Sequence, residues 1–231
     1  MSHKSALLTF LEGVRDEAPL LLAVMPLGVI YGIVALEAGL TKLQAQSMSC
    51  IVFGGSSQFV ASKLIAEAVP GSLIVLTVAV VNLRHMLYSA SVAPYVQNLS
   101  FRWKALLAYL LTDEAYAVVI NYYQRQEEHR YSHWYFLGAG LILWVTWQMS
   151  TAAGIFLGKV LPPSWPLDFF LPLTFIAIVV PSLKDYPSVA AAVAAGVSSL
   201  IFYKLPYRLG LIAASLVGIT TGFASEHWRK R

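Results

Sequence analysis

The sequence predicts an all-α, polytopic integral membrane protein of about seven or eight transmembrane helices, and three observations carry the prediction. Of its 231 residues, 58% are hydrophobic and only 12% are charged, whereas soluble domains carry about 25% charged residues. Mean hydropathy is +0.65. Eight mostly apolar runs follow one another along the chain, and about 20 such residues suffice to cross about 30 Å of hydrocarbon. A soluble globular protein is excluded, because so much apolar side chain leaves too few polar groups to cover a surface.

The first run, 18–38, follows a charged stretch holding Lys4, Glu12, Arg15, Asp16 and Glu17. That stretch has no compact apolar segment ahead of a small-residue cleavage site, so no removable signal peptide is expected and the mature chain is expected to begin near Met1. The second run, 43–66, carries Gly54, Gly55, Ser56, Ser57 and Gln58 in its middle and is expected to be interrupted or re-entrant. The third, 71–93, contains Asn82, Arg84 and His85, and the fourth, 103–122, contains Asp113 and Glu114. In the fifth, 134–160, Gln148 and Thr151 follow Trp144 at i+4 and i+7, a polar seam expected to serve helix packing. The sixth, 168–183, is preceded by Pro162, Pro163 and Pro166 and opens on Asp168, read most simply as an N-cap. The seventh, 187–203, is separated from it by Pro181 and Pro187; if these two runs form one broken hairpin, the crossings number seven. The eighth, 206–224, leads to the basic triplet Arg229, Lys230 and Arg231.

Connectors such as 124–132 are too short for a soluble domain, so 1–231 reads as one transmembrane domain. Tyr122, Tyr123, Tyr131, Trp134, Trp165, Tyr186, Tyr207 and Trp228 sit near the ends of the runs and suit the interfacial belts. An even number of crossings puts both termini on one side, and Lys4, Arg15 and the terminal triplet favour the cytoplasm. The net charge of +4 comes from scattered Lys and Arg, which leaves nucleic acid binding without a footprint. The one cysteine, Cys50, allows no internal disulfide, and no CxxC or His-rich cluster suggests a metal. A faint repeat aligns 26–59 on 148–181 without gaps, pairing Gly32 with Gly154, Ile33 with Ile155 and Phe53 with Phe175. Each segment then reaches a helix breaker, Gly54-Gly55-Ser56-Ser57 in one and Val180-Pro181-Ser182 in the other. Two related halves, 18–122 and 134–224, are the expectation, because paired interruptions mark midplane sites in transporter folds.

Polar groups inside a span are expensive and face a cavity or a partner. Three places stand out. In Phe53-Gly54-Gly55-Ser56-Ser57-Gln58-Phe59, unwinding exposes backbone N–H groups at the start of a half-helix, where the dipole favours a carboxylate. The competing reading is a close helix crossing with serines bonded back to carbonyls, and Gln58 is too large to serve it. In Asn82-Leu83-Arg84-His85-Met86-Leu87-Tyr88, an unbroken helix puts Asn82, His85 and Ser89 on one face and Arg84, Tyr88 and Ser91 well around from it. Either this helix is distorted or Arg84 serves a different contact, snorkelling to the interface included. In Thr112-Asp113-Glu114-Ala115-Tyr116, helical spacing aligns Tyr109, Thr112, Asp113 and Tyr116 as a polar stripe, with Glu114 about 100° around. Asp113 is placed to hold an ammonium group, to neutralise Arg84 or to carry a proton, and these readings stay open. The chain has no GxxxxGK[ST] phosphate loop, no HExxH and no GxSxG, so an enzyme is not expected.

These motifs together resemble the AzlC family of bacterial branched-chain amino acid exporters. The residues that carry the resemblance are Phe10-Leu11-Glu12-Gly13-Val14-Arg15-Asp16, Pro26-Leu27-Gly28, Phe53 to Phe59, Asn82 to Tyr88, Thr112-Asp113-Glu114, and Leu167-Asp168-Phe169 leading to Phe175 and Val180-Pro181. Gly55 stands where many members carry alanine. The resemblance implies efflux of valine and related amino acids across the bacterial cytoplasmic membrane, carried out with a much smaller hydrophobic subunit of the AzlD type. On that reading Gly54, Gly55, Ser56, Ser57 and Gln58, with Asn82, hold the α-carboxylate, and Asp113 faces the α-ammonium or a coupling proton. Arg84, His85, Tyr88, Glu114, Asp168 and Pro181 are assigned to gating or charge balance. No cofactor is expected beyond a coupling proton. The alternatives are a non-transporting assembly subunit and a passive small-solute channel.

Overall fold

The structure, a computed structural model, describes residues 5–125, 131–157, 183, 185–205 and 209–229. Among the described residues every regular element is helical, nine α-helices and one 3-10 turn: α1 Ala6–Glu37, α2 Lys42–Ile51, α3 Gly55–Ala66, α4 Gly71–Val96, α5 Phe101–Tyr109, α6 Asp113–Arg125, α7 Ser132–Leu157, α8 Tyr186–Ile201, the 3-10 turn Phe202–Lys204, and α9 Leu209–Arg229. Among the described residues four helices are long and apolar enough to cross a membrane: Ala6–Glu37, Gly71–Val96, Ser132–Leu157 and Leu209–Trp228. This is the expected all-helical membrane protein. The third, fifth, seventh and eighth apolar runs correspond to α4, α7, α8 and α9, and the sixth lies outside the described residues.

Local sequence accounts for the ends. Ser5 caps α1 by accepting from the Leu8 amide at 3.3 Å, and the helix closes before Gly39, which takes φ +87°. Thr41 and Gln44 form a reciprocal capping box that starts α2. Asp185 caps α8 through the Ser188 amide at 2.9 Å. The first helix starts well before the expected residue 18, so the charged stretch from Glu12 to Glu17 is helical and Glu17 is buried.

The second apolar run breaks where its glycines and serines predict, stopping at Ile51 and resuming at Gly55. The fourth run corrects the expectation of one continuous helix. It stops at Tyr109 and resumes at Asp113, so Tyr109 and the Thr112-Asp113-Tyr116 group do not form one helical stripe. The Thr112 side chain accepts from the Ala115 amide at 3.4 Å, and Asp113 and Glu114 occupy the first turn, where carboxylates suit the dipole.

Contacts divide the chain into two compact units, Met1–Ala66 with Val81–Trp165 and Glu67–Val80 with Pro166–Arg231. The first unit is built on α1 and α7, its most extensive pairing. The two helices run parallel and meet backbone to backbone at two crossings. A Cβ on Gly13 falls on the Tyr135 carbonyl and one on Gly138 falls on the Phe10 carbonyl. Further along, Gly32 meets the Thr151 carbonyl while Gly154 meets the Val29 carbonyl. Gly32 and Gly154, which the sequence alignment pairs, thus share one crossing. Small residues are what allow such approach where lipid supplies no hydrophobic drive. Gly138→Ala is expected to lower the stability of the chain in detergent by about 1–3 kcal/mol, since only backbone movement relieves the clash. Gly196→Ala, which meets nothing within 4 Å, is expected to leave the melting temperature unchanged or raised.

The seam on α7 does hold helices together. Gln148 Oε1 accepts from Gln46 Nε2 at 2.8 Å, Gln148 Nε2 donates to the Ser49 carbonyl at 3.1 Å, and the Ser49 and Thr151 hydroxyls are 3.1 Å apart. This network ties α2 to α7. Tyr122 and Tyr123 are buried, Tyr122 stacked on Tyr135 at 3.7 Å and Tyr123 on Tyr95 at 4.7 Å. In the second unit α8 and α9 pack antiparallel through Ala191 and Ala195 against Gly218 and Gly222.

Candidate functional site

Two interrupted helices and one continuous helix build the site, whose residues 54–58, 82–88 and 112–116 all belong to the first unit. At the first interruption the Gly54 amide turns back to the Val52 carbonyl at 2.8 Å, and α3 then begins with Gly55, Ser56, Ser57 and Gln58. Its first-turn amides have no preceding helical carbonyl, so this end carries partial positive charge. Ser57 Oγ donates to Asn82 Oδ1 at 2.5 Å. A Cβ on Gly54 comes no nearer than 3.6 Å to Ser57 Oγ, with Asn82 Oδ1 and His85 Cε1 at 3.9 Å. These four residues therefore share one small polar space.

The second interruption places Asp113 at the start of α6. Arg84 Nη1 meets Asp113 Oδ2 at 2.5 Å, and Arg84 Nη2 donates to Ser56 Oγ. Arg84 thus joins the beginnings of two half-helices. The alternative of a distorted α4 does not arise, because the helix is continuous from Gly71 to Val96. Asn82 and Arg84 leave it about 200° apart, yet end on the adjacent serines 57 and 56. The long arginine stem spans the difference.

The pair is a charge-assisted contact with incomplete satisfaction. Each side chain is 29% exposed. Arg84 Nε and Asp113 Oδ1 are buried without a hydrogen-bond partner, as are both amide atoms of Gln58 and the Ser62 hydroxyl. Buried polar atoms are nearly always paired, so Arg84 Nε and Asp113 Oδ1 keep unspent hydrogen-bonding capacity at the ion pair. Tyr88 flanks the site, edge-on to His85 at 5.9 Å and stacked on Tyr116 at 4.4 Å, whose hydroxyl donates to Ser91 Oγ at 3.0 Å.

Of the residues that the sequence singles out, Ser56, Ser57, Asn82, Arg84 and Asp113 are connected by direct contacts, with Gly54 and His85 beside them. Gly55 instead packs against Trp147, whose indole carbon Cη2 lies 3.0 Å from the position of a Cβ there. Gln58 is fully buried one turn along. Glu114 follows Asp113 in the first turn of α6. Asp168 and Pro181 lie outside the described residues.

Sequence reasoning missed Tyr31 and Glu17, and it placed Tyr109 in a helical stripe instead of the contacts it makes. Tyr109 donates to the Cys50 carbonyl and accepts from Trp144 Nε1 at 2.7 Å, fastening the end of α5 to the end of α2. Tyr31 donates to the Ala45 carbonyl at 3.0 Å and stacks on Trp147. Glu17 is completely buried on α1; the spacing Thr9, Gly13, Glu17 at i+4 is the signal that places it on the face toward α7.

The family model described as "AzlC protein" matches residues 19–161, a span that includes both interruptions and the whole of α4. The chain belongs to the AzlC family. Across this AzlC-family chain the similarity to individual proteins extends further. It is 28% identical to the inner membrane protein YgaZ of Escherichia coli (strain K12) over 96% of this chain and 92% of that one. It is 30% identical to a membrane protein of Archaeoglobus fulgidus over 96% of this chain and 98% of that protein. To the branched-chain amino acid transport protein AzlC of Bacillus subtilis (strain 168) it is 27% identical, over 80% of this chain and 73% of the other. No solved structure matches it.

Proposed function

We propose that this AzlC-family chain is a secondary transporter that exports valine-like, branched-chain amino acids from the cytoplasm across the bacterial inner membrane, acting with a small AzlD-like membrane subunit. The observation that carries the proposal is Arg84, which bridges Ser56 at the start of α3 to Asp113 at the start of α6 while atoms of both ionic partners stay unsatisfied. The named role of the Bacillus subtilis relative supports transport of this substrate class.

A zwitterion has the charge pattern that can replace such a pair. Its α-carboxylate takes the Arg84 guanidinium with the Ser56 and Ser57 hydroxyls and the amides of the α3 start, and Asn82 orients them. Its α-ammonium takes Asp113. Both charges stay balanced in the loaded and the empty site, so the desolvation cost of opening the pair is offset by the substrate itself. The apolar side chain of valine needs only an apolar wall. Opening the pair also frees α3 from α6, the kind of half-helix gating on which alternating access relies.

Valine efflux from cells loaded through a valine-containing peptide tests this reading. Cells with this chain and an AzlD-like subunit are expected to lose valine faster than cells with this chain alone or with neither. Unchanged efflux in every combination, with both proteins present in the membrane, would remove valine export.

A further inference from the structure

Glu17 is a buried carboxyl group outside the Arg84–Asp113 site. It is 0% exposed, and neither carboxylate oxygen has a hydrogen-bond partner. Its place on α1 is set by helical spacing: Thr9, Gly13 and Glu17 recur at i+4 on the face pressed to α7, where the neighbouring Gly13 already admits no side chain. A carboxyl there is enclosed by protein, although Arg15, Asp16 and Ala18 beside it on α1 are exposed. A structural carboxylate at such a depth is ordinarily paired or hydrogen-bonded, and this one is neither.

Other ionisable groups on the elements packed against α1 are engaged or turned away. On α2, Lys42 lies over the Phe156 ring and Cys50 donates to Gln148; on α3, Lys63 is exposed. On α7, Tyr135 donates to Asp16 at 2.8 Å and His133 packs on Trp103 at 4.8 Å. On α6, Asp113 is held by Arg84 and Arg125 is exposed, leaving Glu114 as the like charge acting on Glu17. On α1 itself, Arg15 is exposed and Asp16 is taken by Tyr135. Among the described residues no cation is paired with this carboxylate.

A metal ion does not fit the position. Hard cations require several oxygen ligands, and among the described residues no group of three or more His, Cys, Asp or Glu is arranged to hold one. A proton needs one oxygen and brings the neutrality that an unpaired buried carboxyl demands.

We propose that Glu17 is the coupling-proton site of this protein, taking up and releasing one proton in each transport cycle, with Glu114 as the charge that links its state to the Arg84–Asp113 pair. Binding the proton on Glu17 removes the repulsion that its carboxylate exerts on Glu114. Releasing the proton restores it, one residue away from the ionic contact that the substrate opens. The inference rests on the transport reading for the word coupling; the proton site itself does not need it.

Two measurements on the full chain in lipid test the proposal. Infrared difference spectroscopy between acid and alkaline pH is expected to show a titrating carboxylic acid carbonyl band that Glu17→Gln removes and Glu12→Gln keeps. No such band in the wild-type chain, or the same band in Glu17→Gln, would overturn the site. In vesicles that also hold the small subunit, an imposed pH gradient is expected to change wild-type valine transport by about tenfold or more, a ratio that falls to about one in Glu17→Gln. An unaltered ratio in that variant would overturn the coupling role. Wild-type vesicles that carry no valine under any gradient contradict the transport reading, and the infrared band still decides whether Glu17 binds the proton.

Discussion

Asp113→Asn is expected to lower valine transport by about 100-fold or more, which corresponds to about 3 kcal/mol. The substitution keeps the shape of the side chain and removes the charge that Arg84 meets at 2.5 Å. It takes the directly bonded counter-ion from the guanidinium that faces Ser56, and from an incoming ammonium group as well. A purely structural ion pair predicts the same loss, since an unpaired buried charge destabilises whatever its purpose. The double variant Arg84→Gln with Asp113→Asn separates the two accounts. Removing both charges is expected to return the melting temperature to near the wild-type value while transport stays as low as in Asp113→Asn. Recovery of transport in the double variant would show that the pair only holds helices together. Transport assays paired with melting of the purified variants measure both outcomes.

Gln58→Met is expected to move stability and activity in opposite directions. Both amide atoms of Gln58 are buried without a partner, and methionine has nearly the same length and volume without the need for hydrogen bonds. Removing an unsatisfied buried amide is expected to stabilise the chain by about 1 kcal/mol. Valine transport is expected to fall by about tenfold or more, because polar groups kept inside a membrane protein at such cost serve a polar guest. An amide that merely packs predicts higher stability with transport unchanged. Thermal melting and initial rates on the same preparation give the two numbers.

The difference between what the sequence discloses and what it conceals is physical. Gly54, Gly55 and the serines after them break a helix whatever surrounds them, so the gap between α2 and α3 is legible from residue type. The gap between α5 and α6 is hidden because Leu110 and Leu111 are apolar and hydropathy runs smoothly through them. Its signal is finer: Thr112 followed by Asp113 and Glu114 is the pattern of a helix start. Arg84 and Asp113 are recognisable as partners from their charges alone. That Arg84 also reaches Ser56, beside the serine that Asn82 holds, is not, because helical geometry fixes where a side chain leaves the backbone and not where a long one ends. Glu17 is concealed by its neighbours, since Glu12, Arg15 and Asp16 make the whole stretch look solvated. Only the spacing of Thr9, Gly13 and Glu17 carries the information, and it speaks once α7 is known to lie against that face. Asp168 and Pro181 carry an expectation that the described residues do not reach.

A transporter of zwitterions must do what neither a channel nor an assembly subunit does: its site must recognise both charges of the amino acid at once. Counterflow in vesicles holding this chain with its small subunit tests it directly. With unlabelled valine inside, uptake of labelled valine is expected to saturate. Excess external valine is expected to block it, while isobutylamine and isovalerate, which each lack one charged group, are expected to leave it unaffected. Uptake that fails to saturate, or that either half-molecule blocks as well as valine does, would contradict the claim that Arg84 and Asp113 open to receive a zwitterion.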